Sequence, residues 1–158
     1  MEKILRILAE NARISLEDIA TMTQKSTAEV ARLMDTAEKA HIINGYRALV
    51  DWEKADIAHV QAIIELRVSP RRDCGFDEIA SVIARFDEVD SVLLMSGGYD
   101  LSLVVKGTSF QDIALFVAKR LSPLDGVLST ATHFVLRTYK KDGVMYGDEN
   151  TDERESGV

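Results

Sequence analysis

Apolar residues recur with the period of an α-helix through the first part of the chain. The first stripe consists of Ile4, Leu5, Ile7 and Leu8. Two later segments open with a serine followed three positions on by an acid, Ser15 to Asp18 and Ser26 to Glu29, which is typical of a capped helix start. The pattern predicts three helices, followed by a turn over residues 42–46 and an extended segment over residues 47–52.

The period changes to that of a β-strand from residue 58 onward. Apolar residues then alternate at Ala58, Val60, Ala62, Ile64, Leu66 and Val68, which indicates a strand with one buried face. Further strands are predicted over residues 89–95, 99–105 and 127–138, and helices over residues 76–86 and 110–121. The resulting βαββαβ order is that of a ferredoxin-like arrangement. The predicted fold class is α+β, with a helical domain followed by this ferredoxin-like domain.

Two adjacent glycines, Gly97 and Gly98, join the second and third of these strands. Paired glycines between apolar runs are typical of a type I′ turn, which needs a positive φ at both central residues. Asp100 follows at once, near the start of the third strand. The turn accounts for the glycines but not for the acid. Two interpretations of Asp100 stay open, a turn-capping side chain and a ligand contact.

One face of the predicted sheet has no helix to cover it. The last strand nevertheless has apolar residues on both faces, Leu128, Phe134 and Leu136 on one and Val127, Ala131 and Val135 on the other. An uncovered apolar face predicts a partner. We expect a face-to-face homodimer. The alternative is that the N-terminal segment folds back over the sheet.

The composition is that of a folded protein from a reducing compartment. Apolar residues make up 46% of the 158 residues, and the single cysteine, Cys74, excludes an internal disulfide framework. No apolar run is long enough to span a membrane, and the N-terminus lacks the apolar centre of a signal peptide. A cytoplasmic location is therefore expected.

The net charge of −7 lies mostly at the C-terminal end. Residues 142–158 hold six acidic residues and one basic residue, so the rest of the chain is near neutral. We expect a helical domain over residues 1–52, a ferredoxin-like domain over residues 53–143, and an acidic tail over residues 144–158 that is disordered from about Gly147. The acidic pI therefore does not exclude DNA binding.

The three predicted helices match a helix-turn-helix, with residues 42–52 as the expected wing. In that motif the second helix of the pair enters the major groove of double-stranded DNA. Polar and basic side chains near its start suit base edges and phosphates. Those expected to contact DNA are Gln24, Lys25, Ser26, Thr27 and Arg32. A three-helix packing module without DNA contacts is the alternative.

The sequence shows no pattern of metal-binding or catalytic residues. The three histidines, His41, His59 and His133, match no zinc spacing, and Cys74 has no partner at a nucleophile-like spacing. No P-loop, dinucleotide fingerprint or Ser/His/Asp constellation is present. The sequence therefore predicts no cofactor, no metal and no enzyme activity.

Three motifs, taken in order, resemble those of a known family. They are GYRALVD at residues 45–51, SGGYDLSLVV at residues 96–105 and GVLSTATHFVLRTYKKDG at residues 126–143. In this domain order they look like the leucine-responsive and asparagine-responsive (Lrp/AsnC, feast/famine) transcriptional regulators. The resemblance implies a winged helix-turn-helix, a second domain that forms dimers and higher oligomers such as octamers, and control by a small effector, usually an amino acid.

The resemblance also implies an effector site at the central hairpin. Its residues are Gly97, Gly98, Tyr99, Asp100, Thr130 and Thr132. Backbone N–H groups of the glycines hold the carboxylate of an amino acid, Asp100 pairs with its ammonium, and the threonines hydrogen-bond it. The alternative for the glycines is an ordinary hairpin turn.

The third helix departs from the family pattern in its charge. Leu33, Asp35 and Thr36 stand where basic residues are usual, whereas Arg32 keeps one basic position. Arg47, after the helix, is a further cation expected to contact DNA. This departure leaves open a module that has lost DNA binding and acts through hetero-assembly.

An enzyme of the same architecture is the remaining alternative. Some relatives with this domain order resemble tetrapyrrole-processing enzymes, which use histidines and arginines near the sheet. His133 and Arg137 are the candidates for that chemistry in this chain.

Overall fold

The computed structural model describes residues 1–69 and 75–146, and the chain divides into two compact units, Met1–Val50 and Asp51–Val158. Cys74, expected in a loop, lies outside the described residues, and so does the acidic tail from Gly147, for which disorder is predicted. Each unit has a hydrophobic core of its own.

Three helices form the first unit, as the apolar stripes predict. They are α1 (Glu2–Glu10), α2 (Leu16–Thr23) and α3 (Thr27–Lys39). Ser15 and Ser26 cap α2 and α3, because each hydroxyl oxygen accepts a hydrogen bond from the backbone N–H three residues on. The stripes meet in one core, in which Ile4, Ile19 and Val30 are fully buried.

The chain leaves α3 through a residue in the left-handed region. His41 has a φ of 53°, and the N–H groups of Ile42 and Ile43 donate to the carbonyl of Ala37 at 2.9 and 3.2 Å. These bonds satisfy a carbonyl at the end of the helix. Residues 44–51 then form neither helix nor strand. The segment predicted as the wing is therefore irregular rather than a pair of strands.

The second unit contains a four-stranded antiparallel sheet with the predicted ferredoxin-like topology. Its strands are β1 (Val60–Val68), β2 (Val89–Leu94), β3 (Leu101–Gly107) and β4 (Val127–Phe134), in the spatial order β2-β3-β1-β4. The connecting helices are α4 (Asp77–Ile83), before β2, and α5 (Phe110–Phe116), which a π-helical turn over Val117–Leu121 prolongs. The predicted βαββαβ order and α+β fold class are confirmed.

The core of this unit lies between the two helices and one face of the sheet. Strict alternation in β1 directs Ile64 and Leu66 to this face, where both are fully buried, as the sequence pattern predicts. Leu103 joins them from β3, and Ile83 and Ile113 from the helices.

A β-bulge in β4 changes which of its side chains face the core. The register of β4 against β1 shifts between Arg67 and Val68, so that Leu128 is an extra residue and is 68% exposed. Val127 then packs on the core, together with Phe134. The prediction that these two residues lie on opposite faces is wrong, because the bulge reverses the alternation on which it rests.

The opposite face of the sheet carries neither α4 nor α5. By register and alternation, this open face holds Ile63, Glu65, Leu93, Ser102, Val104, Ala131 and His133, together with the polar residues Gln61, Arg67, Ser91, Lys106 and Ser129. Ile63 is 42% exposed and Leu93 is 53% exposed. Glu65 Oε2 and His133 Nε2 lie 3.7 Å apart. The open face therefore mixes exposed apolar side chains with polar and charged ones, and it is less apolar than the sequence pattern predicts.

A hairpin that the sequence analysis does not predict follows the sheet. β5 (Lys140–Lys141) pairs with β6 (Val144–Met145). Asp142 and Gly143 connect them with φ values of 48° and 84°, which a type I′ turn requires. Residues 144 and 145, assigned above to the tail, are thus part of a strand pair. The Asp-Gly dipeptide is the sequence signal that predicts this turn.

His59 lies against Trp52, with ring centroids 5.3 Å apart. Burial lowers the pKa of His59 below its ordinary value of 6.5, and the charges of Lys141 and Lys106 act in the same direction, against Asp90. At a pH between its folded and unfolded pKa values, His59 is therefore neutral in the folded protein and protonated in the unfolded chain. The stability contributed by neutral His59 is complete above about pH 6.5 and is lost as the pH falls through the lower folded pKa.

Fluorescence of Trp52, the single tryptophan, is expected to report this titration. Protonation of the neighbouring ring should change the emission with a midpoint below pH 6.5, and thermal unfolding should occur at a lower temperature at pH 5 than at pH 7.5. His59→Gln keeps a polar side chain, removes the titration, and should abolish the emission change. A midpoint at or above 6.5 would contradict the burial of His59.

Candidate functional site

The turn between α2 and α3 gathers four of the residues predicted to contact DNA. Gln24 is exposed and ends α2 with a φ of 57°. Ser26 Oγ accepts from the N–H of Glu29 at 3.2 Å, so its hydroxyl belongs to the helix cap. Thr27 is the exposed first residue of α3. With Lys25, these side chains form one continuous polar surface at the start of the helix.

Charged residues of this surface form an ion pair. Lys25 Nζ donates to Glu29 Oε1 at 2.5 Å. The Lys25 ammonium, and with it the Arg32 guanidinium, holds the pKa of the Glu29 carboxyl below its ordinary value of 4.5. Arg32 is exposed one turn further along α3, and Arg47 lies in the irregular segment after the helix. The four-residue spacing between Lys25 and Glu29 in the sequence is that of such an ion pair.

The connection from β2 to β3 is not the predicted type I′ turn. The N–H of Met95 donates to the carbonyl of Asp100 at 2.8 Å, which closes a loop of residues 96–99. Gly97 has a φ of 139°, and Gly98 is not among the residues with positive φ. A type I′ turn needs positive φ at both glycines, so that prediction is wrong. The turn is wider because β3 begins only after Asp100.

Asp100 bonds to β1, the strand next to its own. Its Oδ2 accepts from the N–H of Val68 at 2.9 Å, and its own N–H donates to the carbonyl of Leu66 at 2.8 Å. The side chain thus supplies an acceptor to β1 at a position that β3, which begins at Leu101, does not reach. This contact supports a structural role for the acid, as the cap of a neighbouring strand rather than of its own turn.

The loop of residues 96–99 leaves room at its glycines. Gly97 and Gly98 are exposed, and a Cβ built on either meets no atom within 4 Å, whereas Tyr99 is half-buried. A ligand can therefore approach the main chain closely at both glycines. Backbone N–H groups in such loops can bind a carboxylate.

Thr130 and Thr132 share one face of β4, as alternation predicts, but it is the face that the helices cover. They pair with Leu66 and Ile64, which are fully buried, and are themselves half-buried. β1 lies between β4 and β3. Two strand spacings of about 4.8 Å separate the threonines from Asp100. Within one chain, the two predicted parts of the effector site are thus on either side of β1.

The histidine and arginine proposed for tetrapyrrole chemistry have other neighbours. His133 lies beside Glu65 on the open face, and Arg137 stacks on the ring of Tyr139, 5.2 Å from its centroid. In residues 1–69 and 75–146, no group of three His, Cys, Asp or Glu side chains is arranged to hold a metal ion. Over the same ranges, no helix has both the length and the apolar character needed to cross a membrane.

Two family models match the chain in the order that the structure shows. A winged helix-turn-helix DNA-binding model matches residues 2–44, and the Lrp/AsnC ligand-binding domain matches residues 61–145, more than half of the chain. The chain belongs to the Lrp/AsnC family of transcriptional regulators. The Lrp/AsnC match extends through β6, so it includes the hairpin that the sequence analysis assigned in part to the tail.

Relatives in the Lrp/AsnC family align over nearly their whole length. The HTH-type transcriptional regulator YugG of Bacillus subtilis is 49% identical over 154 residues, which are 96% of this chain and 92% of that protein. The leucine-responsive regulatory protein of Haemophilus influenzae is 28% identical over 143 residues, covering 90% and 86%. These relatives are transcriptional regulators.

Solved structures of Lrp/AsnC proteins have the same fold. A transcriptional regulator of Neisseria meningitidis, in complex with L-Met, is 27% identical, with a TM-score of 0.70 over 88% of this chain and 89% of that chain. AsnC of Escherichia coli is 22% identical, with a TM-score of 0.67 over 88% and 91%, and supports the fold alone.

Proposed function

We propose that this Lrp/AsnC protein is a cytoplasmic regulator that binds double-stranded DNA through α2 and α3 and responds to an amino acid at the β2–β3 loop. What supports this function is the combination in one chain of an exposed polar helix start in the helix-turn-helix unit and a solvent-open glycine loop in the ligand-binding unit. The mechanism is linkage, in which effector binding shifts the assembly and thereby the spacing of its DNA-binding units.

The proposed DNA surface comprises Gln24, Lys25, Ser26, Thr27, Arg32 and Arg47. Lys25, Arg32 and Arg47 bind phosphates and fix the orientation of the helix. Gln24 and Thr27 suit base edges, since an amide and a hydroxyl both donate and accept. Ser26 contributes by capping α3, which fixes the residue at which the helix begins.

The proposed effector site centres on the loop of residues 96–99 and on Asp100. The α-carboxylate of an amino acid binds the N–H groups of Gly97 and Gly98, beside Tyr99. Asp100 keeps its bond to Val68 and pairs with the ammonium through its remaining lone pairs, since a carboxylate accepts about four hydrogen bonds. The L-Met complex of the Neisseria relative supports an amino acid as the effector. Thr130 and Thr132 hydrogen-bond the amino acid, either from a second copy of the chain or from across β1 in the same chain.

The proposed assembly is a homodimer through the open face, which associates further into oligomers such as octamers. Ile63 and Leu93 are 42% and 53% exposed there, and both lie on strands, where a flat partner can cover them. A twofold interface brings the same residues together from both subunits.

Arg32→Ala is expected to weaken binding to every duplex and to lower the slope of log affinity against log salt by about one unit, because one phosphate contact is lost. Fluorescence anisotropy over a series of salt concentrations measures both quantities. Thr27→Ala is the matched control, which should change the preferred sequence and leave the slope intact. If Arg32→Ala binds as tightly as the unmodified protein and with the same slope, the DNA surface lies elsewhere.

A further inference from the structure

An acidic side chain stands on the surface of α3 that the proposed function places in the major groove. Glu29, Arg32 and Thr36 follow at spacings of three and four, so they share one flank of α3, and Lys25, which precedes the N-cap Ser26, forms an ion pair with Glu29. Val30, about 100° further round the helix than Glu29, is fully buried and marks the inward side. The Glu29 carboxylate is therefore among the groups that meet DNA when α3 docks.

In the protein without DNA, Lys25 Nζ and Glu29 Oε1 form an ion pair at 2.5 Å. The pair is only partly shielded, since its side chains are 32% and 39% exposed. A DNA phosphate is negatively charged, as the Glu29 carboxylate is, so it offers Lys25 an alternative partner. When Lys25 turns to a phosphate, the carboxylate of Glu29 is left without its cation beside a negatively charged backbone.

A donor on a base edge can then satisfy Glu29 in the groove. Guanine presents two acceptors in the major groove and thymine presents an acceptor and a methyl group, whereas cytosine presents an N4 amino donor. Adenine presents a donor next to an acceptor, which repels a carboxylate. Cytosine is therefore the base that fits Glu29.

We propose that Glu29 is a specificity-determining residue of the DNA surface, whose carboxylate exchanges Lys25 for the N4 amino group of a cytosine when α3 enters the major groove. The inference rests on the proposed function in that α3 is the helix that docks. On duplexes without cytosine at that position, Glu29 repels the DNA and lowers affinity. The acid thus adds sequence discrimination to a helix that has two basic and three acidic residues.

A second ion pair on α3 supplies a matched control. Lys39 Nζ donates to Asp35 Oδ2 at 2.7 Å, and both side chains are more than half exposed. Asp35→Asn removes one negative charge from the same helix, as Glu29→Gln does, but two turns away from its start. The two variants separate the loss of a charge from the loss of a base contact.

Selection of preferred sites from a pool of random DNA duplexes by the full-length protein tests the proposal. The unmodified protein should select one position at which cytosine is preferred by about tenfold over other bases, the usual effect of one mismatch. Glu29→Gln should prefer adenine at this position instead of cytosine, because a glutamine amide contacts adenine through N6 and N7. Its base preferences at the other positions of the site should be unchanged. Asp35→Asn should select the unchanged site and bind all duplexes somewhat more tightly.

The outcomes distinguish the two proposals. If Glu29→Gln selects the same site as the unmodified protein, or gains affinity equally for all duplexes as Asp35→Asn does, Glu29 reads no base and the inference is wrong. If the unmodified protein selects no site at all while its circular dichroism shows a folded chain, the proposed DNA-reading function fails, and the assignment of Glu29 fails with it.

Discussion

Ile63→Asp is expected to convert the proposed dimer into monomers that keep their fold. Ile63 lies on the open face and is already 42% exposed, so an aspartate there is solvated in the monomer. In a face-to-face dimer two copies of the charge are buried without partners. An uncompensated buried charge costs about 3–5 kcal/mol, so the dissociation constant should rise by at least a hundredfold.

Light scattering after size-exclusion chromatography, at micromolar protein, measures this change. Ile64→Ala is the matched control, since the next residue along β1 faces the core and is fully buried. Its loss of packing should lower the free energy of unfolding by about 2–5 kcal/mol without removing any group from the open face. A stable dimer of Ile63→Asp, or an unmodified protein that is monomeric, would place the interface elsewhere.

Asp100→Ala is expected to destabilise the protein even without effector. The substitution leaves the N–H of Val68, now bonded at 2.9 Å, without its acceptor. A buried donor that loses its partner costs about 1–3 kcal/mol. For a chain of this size that lowers the melting temperature by about 2–4 °C per kcal/mol. Asp100→Asn retains an oxygen acceptor at the same place, so its melting temperature should stay close to that of the unmodified protein.

Melting temperatures measured with effector distinguish the structural role of Asp100, its bond to Val68, from its proposed role in binding the ammonium. At a concentration of about one hundred times Kd, a ligand that binds only the folded state adds about 2.7 kcal/mol of stability. The expected rise in melting temperature of the unmodified protein, in a screen of the standard amino acids, is about 5–10 °C. Asp100→Asn should lose this rise because the ammonium loses its charged partner.

Gly98→Ala provides an independent variant for the same site. Gly98 has no positive φ, and a Cβ at this position meets no atom within 4 Å, so the folded chain accepts alanine. The added methyl group occupies the side from which a carboxylate approaches the loop, and the ligand-induced rise should shrink. If no amino acid raises the melting temperature of the unmodified protein, or if Asp100→Asn and Gly98→Ala keep the full rise, the effector binds elsewhere.

Much of the fold follows from local patterns that the sequence displays directly. The alternation from Ala62 to Val68 predicts β1 and its buried face, because successive side chains in a strand point to opposite sides. Ser26 predicts the start of α3, because a hydroxyl three residues before an unpaired N–H can accept its bond. Such signals depend only on near neighbours in the chain.

The geometry of the loop of residues 96–99 is harder to predict in this way. Gly97 and Gly98 predict a turn correctly, but their φ angles depend on where β3 resumes pairing, and that depends on Asp100. The same type I′ signal is realised at Asp142 and Gly143, where two short strands pair directly across the turn. A dipeptide therefore predicts a chain reversal better than it predicts the turn geometry.

The sequence by itself determines the helices, the order of the strands along the chain and the family. Periodicity, helix caps and motifs all depend on residues that are close together in the sequence. Only the tertiary structure determines that Asp100 accepts a hydrogen bond from β1, because its partner Val68 is 32 positions away along the chain. It also decides the face on which Val127 lies, because the bulge arises from the pairing of β4 with β1. Both depend on strand register, which is set by the packing of distant apolar residues and by hydrogen bonds between strands rather than by any local preference.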